Sequence, residues 1–184
     1  MTMFRDEKDL VREAARGDRS AMADLYGRNI GYLVAVCSRY ISSEEDRNDV
    51  LQSSFVKIFS SIGRFEYRGD GSLRAWMTRI VVNEAIRYLR EQTRSSHADE
   101  RQMSDMAEEE DPEVEDIPVG VIQDMIRQLP DGYRTVFNLF VFEEKSHKEI
   151  SAMLGITEST SASQFHRAKN ILAKKIKEYR KTIE

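Results

Sequence analysis

An all-α fold in two helical domains joined by an acidic flexible linker is the fold class this sequence predicts. Three observations predict it: apolar residues recur at helical spacing along most of the chain, no alternating strand pattern appears, and one polar, strongly acidic stretch separates the two apolar-rich parts. At 184 residues with 40% apolar content the chain is long enough for two small cores. The formal charge of -4 is unevenly spread. Between Asp99 and Asp116 ten acidic residues face Arg101 alone, a charge of -9, which leaves +5 on the remainder. Two basic modules are hidden by the acidic average.

Residues 6 to 16 read as a short amphipathic helix. A second begins near Asp18 to Ser20 and places Met22, Leu25, Tyr26, Ile30, Leu33, Cys37 and Tyr40 at helical spacing. Ser43 followed by Asp46 predicts an N-cap with acidic residues in the first turn, opening a third helix that runs to about Ile62 and stops at Gly63. Leu51, Phe55, Ile58, Phe59 and Ile62 form its inward side. Asp49, Gln52, Ser53, Val56 and Ser60 lie outward, so one valine stands among polar side chains; this suits a protein contact as well as an ordinary exposed valine.

The loop RFEYRGDGS carries Arg64, Phe65, Tyr67 and Arg68, aromatic and basic groups able to hold an unpaired strand, and ends at Ser72, a predicted cap. From Ser72 to Arg94 one long helix is expected. Trp76, Arg79, Asn83, Arg87, Arg90 and Arg94 fall on a single narrow side of it, while Leu73, Met77, Ile80, Val81, Val82, Ile86, Tyr88 and Leu89 take most of the rest. A cationic row with an indole and an amide suits a polyanion whose bases can be stacked upon and read at their edges. Read alone, the same row suits a solvated helix face equally well.

Domain boundaries are expected at 1–94 and 118–184, with 95–117 as linker, since that stretch has too few large apolar side chains to offset its ordering entropy. In the second domain Val121, Ile122, Met125, Ile126 and Leu129 share one helical side, and after Pro130 a further helix carries Val136, Phe137 and Phe140. Ser146 and Glu149 have capping-box spacing, Ile150, Met153 and Leu154 face inward, Gly155 supplies a left-handed turn, and Thr157 caps the next helix. This is the layout of a helix-turn-helix. In its second helix Phe165, Ala168, Leu172, Ile176 and Tyr179 cluster on one side, and Ser159, Thr160, Ser163, His166, Arg167 and Asn170 on the other. Short hydrogen-bonding side chains with an arginine near a helix N-terminus are what the major groove demands.

Other chemistries find no support. Cys37 is the one cysteine and falls among apolar neighbours, so a buried thiol is expected; the three histidines lack ligand spacing, so neither metal nor cofactor is expected. No nucleophile and base pair suggests an enzyme with a small-molecule substrate. No apolar run approaches a membrane span and the N-terminus lacks a secretion signal, which places the protein in the cytoplasm.

DVLQSSFVKIF, RGDGSLRAWMTRIVVN, LPDGYRTVFNL and EISAMLGITESTSASQFHRAK, in this order and across an acidic linker, resemble the extracytoplasmic-function type of bacterial sigma-70 factor. The resemblance covers nearly the whole chain and implies sigma region two, a linker and region four. It implies a dissociable subunit that directs core RNA polymerase, through its β′ clamp and β flap, to promoter DNA. Asp49, Gln52, Ser53 and Val56 then fall at clamp-binding positions, and Asn83 where an extruded −10 base is read. Arg64, Phe65, Arg68, Trp76, Arg79, Arg87 and Arg90 surround it. Ser163, His166 and Arg167 fall where the −35 element is read, with Ser159, Thr160 and Asn170 beside them. An anti-sigma factor is a further implied partner. Ser53 stands where an acidic residue is common, Ser161 where valine is usual, and Ala162 and Gln164 where basic residues are common, which implies fewer −35 phosphate contacts. The competing expectation is a two-domain regulator that uses only its helix-turn-helix and is not a polymerase subunit.

Overall fold

The computed structural model describes residues 6–95 and 116–183. Among these all regular structure is helical, in the order α1 Glu7–Ala15, α2 Arg19–Cys37, α3 Glu44–Ser61, a 3₁₀ turn at Ile62–Arg64, α4 Ser72–Ser95, α5 Val119–Arg127, α6 Asp131–Val141, α7 His147–Leu154 and α8 Glu158–Ile183. The chain divides into two compact units, Met1–Leu89 and Arg90–Glu184. The linker expected at 95–117 lies almost wholly outside the described residues.

In the first unit α1 packs on α2 and α2 on α3. Asp18 caps α2 by accepting from the Ala21 amide at 2.8 Å; Ser43 caps α3 by accepting from the Asp46 amide at 3.3 Å, as the Ser43–Asp46 spacing predicts. Leu25, Leu33, Ile58, Leu73, Met77 and Val81 are among the fully buried side chains. Cys37 is buried too, and desolvation pushes its thiol up to about 12 despite the Arg47 charge nearby. It is a packing residue.

Two of the expected helix ends differ. Gly63 is not a left-handed stop; it sits inside the 3₁₀ turn, and the left-handed glycines are Gly17, Gly69, Gly71 and Gly155. Ser72 is the first helical residue rather than a cap in front of the helix. Its hydroxyl donates to the Gly69 carbonyl at 2.6 Å and accepts from the Arg68 amide at 3.2 Å. Ser72 therefore closes the preceding loop, whose two positive-φ glycines make the tight turn possible.

In the second unit Ile117, Met125, Ile126, Leu129, Ala168, Leu172 and Ile176 form the core, with α6 and α7 both packed on α8. Arg134 is buried there, and its guanidinium donates to the carbonyls of Arg127 and Leu129 at 3.1 and 3.2 Å while pairing with Asp131 at 2.7 Å. It satisfies backbone acceptors at the end of α5 that the helix leaves open.

Candidate nucleic-acid interface

The long helix α4 carries its polar stripe as helical spacing predicts. Arg79, Asn83, Arg87 and Arg90 are exposed and Trp76 is half-buried, whereas Leu73, Met77, Val81, Val82, Ala85 and Ile86 are buried. The side chain of Arg94 lies outside the described residues. Ile80, Tyr88 and Leu89 are only half-buried, so the buried side is narrower than composition suggests.

Phe65 joins the stripe from the loop. Its ring centroid lies 4.9 Å from that of Trp76 at 35°, a tilted aromatic pair at the N-terminal end of the stripe. Arg64 and Arg68 are exposed beside it, and Arg68 meets Glu66 at 3.1 Å. Tyr67 donates to Asp70 at 2.9 Å, and that hydrogen bond raises its phenol to about 12. The loop is thus stapled to itself while its arginines point to solvent.

Helical spacing did not single out Glu84, one residue beyond Asn83. It is 4% exposed, and its carboxylate accepts from Lys57 of α3 through one oxygen and from Arg87 through the other at 2.8 Å. Burial alone would raise its pKa; the hydrogen bonds and charges of Lys57 and Arg87 outweigh that and hold it below the usual glutamate range. The i, i+3 pairing with Arg87 was readable, but Lys57 is 27 residues away and no local pattern reveals it.

On α3, Asp49, Gln52 and Val56 are exposed, Val56 at 66%, and Ser53 is half-buried. An exposed β-branched residue between polar neighbours thus faces solvent next to Lys57.

In the second unit the capping box forms completely: Ser146 accepts from the Glu149 amide at 3.3 Å and the Glu149 carboxylate accepts from the Ser146 amide at 2.9 Å. Gly155 takes φ 71°, and Thr157 caps α8 by accepting from the Thr160 amide at 3.0 Å. Ser159, Ser163 and His166 are exposed, and Thr160 and Arg167 half-buried, with Arg167 reaching the Tyr133 hydroxyl at 3.4 Å. Asn170 corrects the sequence expectation. It is 2% exposed and its amide nitrogen lies 3.2 Å from His166 Nε2, so it backs the histidine instead of facing outward.

Ser161 is fully buried, and its hydroxyl lies 2.9 Å from His147 Nδ1. His147 also stacks on Phe140, centroids 4.9 Å apart, and Phe140 lies 4.3 Å from Phe165. A polar latch and an aromatic cluster thus lock α6 and α7 to α8 and fix the pitch of the exposed polar face of α8.

Residues 25–95 match the family model described as sigma-70 region 2, and residues 120–172 match that of sigma-70 region 4. The ECF RNA polymerase sigma-E factor of Haemophilus influenzae is 30% identical over 183 residues, covering 92% of this chain and 95% of that protein. The chain belongs to the extracytoplasmic-function sigma factors. A second relative in that family, the ECF RNA polymerase sigma factor SigW of Bacillus subtilis, is 26% identical over 183 residues, covering 93% of this chain and 97% of that protein. Among solved structures, the sigma factor RpoE in complex with the anti-sigma factor NepR from Bartonella quintana aligns with 84% of this sigma factor and 97% of that chain, at 18% identity and a TM-score of 0.48.

The matched regions contain the cationic α4 stripe, in region two, and the polar face at the start of α8, in region four. Among the described residues no cluster of His, Cys, Asp and Glu could hold a metal ion, and no helix is long and apolar enough to cross a membrane.

Proposed function

We propose that this sigma factor binds core RNA polymerase in the cytoplasm and directs it to promoters, acting by recognition and strand separation and not by turnover of a substrate. The observation that carries the reading is the ordered pair of sigma regions, each with a solvent-facing polar helix face, which in α4 is cationic. In this reading Asp49, Gln52, Ser53 and Val56 of α3 dock on the β′ clamp. Asn83 receives a base extruded from the −10 element. Arg79, Arg87 and Arg90 flank it along the phosphates, with Arg64, Phe65, Arg68 and Trp76 at the upstream end. Ser159, Thr160, Ser163, His166 and Arg167 meet the −35 element, and Asn170 orients His166 from behind. The domain roles follow as −10 recognition and polymerase binding in 1–94 and −35 recognition in 118–184.

Energetics support a subunit over a free repressor. Each opened DNA step loses stacking worth about 1.4 kcal/mol. A base held against side chains recovers roughly 1–3 kcal/mol, and this chain offers few aromatic platforms. A larger machine must supply the remaining grip.

Reconstitution with core polymerase tests the reading: transcripts should start at discrete genomic promoters sharing −10 and −35 sequences. Absence of sequence-specific initiation from every promoter would sink it. A regulator acting without polymerase would instead bind an operator tightly by itself and fail to pull down the core enzyme.

A further inference from the structure

Among the described residues, those lining the buried side of α4 are apolar with one exception. Leu73, Met77, Val81, Val82, Ala85 and Ile86 need no partners; Glu84, equally buried, is paired with two cations. Stability gives a weak reason for such a residue, because replacing a buried ion pair with packed apolar side chains is often neutral or favourable. What an apolar side chain cannot do is hold a charged neighbour in direction. Glu84 Oε2 takes Arg87 Nη2 at 2.8 Å, and the opposite oxygen is fixed by Lys57 from α3, so the carboxylate cannot swing with the arginine. The Arg87 side chain remains 52% exposed. Arg87 lies one helical turn beyond Asn83 on the same face.

We infer that Glu84 is a positioning residue for promoter opening: braced by Lys57, it holds the Arg87 guanidinium in place beside Asn83, ready for the backbone of the separated strand. A planar fork with a rigid donor pattern gains most from such bracing, since less rotamer freedom is left to lose when phosphate arrives. Lys57 follows the outward Val56 on α3, so the same carboxylate links the helix proposed to dock on polymerase with the helix proposed to face DNA. The inference rests on the reading of the α4 stripe as the −10 surface.

Holoenzyme carrying Glu84→Gln, Arg87→Ala or both distinguishes the two levels, with core-polymerase affinity and open-complex formation measured for each. Glutamine keeps the shape and loses the charge. Each single variant should lower open-complex formation about tenfold at unchanged polymerase affinity, and the double variant should be no worse than Arg87→Ala, as expected of residues acting through one contact. Losses that multiply in the double variant overturn the positioning role while leaving the −10 surface intact. No loss from Arg87→Ala overturns the surface assignment at this position and the inference with it. The charge exchange Lys57→Glu with Glu84→Lys supplies a second arm: it rebuilds the bridge between α3 and α4 but sets a cation against Arg87. The thermal midpoint lost in Glu84→Lys alone should return in the exchange while promoter opening stays impaired. Recovery of opening together with the midpoint would show a purely structural bridge.

Discussion

Asn83 and Glu84 are adjacent in sequence and opposite in environment, because 100° of helical rotation separates them. Asn83 is exposed at the middle of the arginine stripe, so its amide is free of packing duties. Asn83→Ala should reduce promoter opening by about tenfold, within the range for one recognised base, and leave polymerase affinity unchanged. Filter binding for polymerase and fluorescence of a −10 base analogue measure the two; equal loss in both counts against base reading. Glu84 has a depressed pKa in the folded state, so its contribution to stability is present above the unfolded pKa and disappears as pH falls through the folded one. The difference in urea midpoint between the natural chain and Glu84→Gln should accordingly shrink on acidification below the usual glutamate range. A difference independent of pH would mean the carboxylate charge contributes nothing.

The joint between α7 and α8 shows how an element is fixed by a few backbone requirements. Gly155 occupies φ 71°, where a β-carbon is strained. Gly155→Ala should cost about 1 kcal/mol, and Ser146→Ala, which removes half of the capping box, a similar amount. Chemical denaturation of the full chain measures both, and an unchanged midpoint for Gly155→Ala would refute the strain. Ser161 shows how one buried polar side chain ties two helices together. A valine there could not bond His147, whereas the serine hydroxyl lies 2.9 Å from Nδ1. Deleting that hydroxyl leaves a half-buried nitrogen without this partner, a loss on the order of 1 kcal/mol.

Across the whole molecule, net negative charge coexists with the cationic stripe of α4 because the acidity is concentrated between Asp99 and Asp116. The chain alone should bind promoter duplex weakly, with strong salt dependence, and should not separate its strands. Combined with core polymerase it should make −10 thymines reactive to permanganate. Strand separation by the isolated chain would contradict a division of labour with polymerase. Within the holoenzyme, Arg79→Ala should lower the slope of log affinity against log salt by about one if it meets a phosphate.

The sequence by itself determined the all-α class, the caps at Ser43, Ser146 and Thr157, the turn at Gly155 and the exposed stripe of α4. All of these follow from periodicity or from interactions within four residues, which a linear reading captures. Tertiary structure decided what depends on distant partners. It buried Glu84 against Lys57, joined Ser161 to His147, paired Phe65 with Trp76, and turned Asn170 from an expected outward contact into a support for His166. Helical spacing gives the direction in which a side chain leaves its own helix; only packing decides whether water or another element waits there.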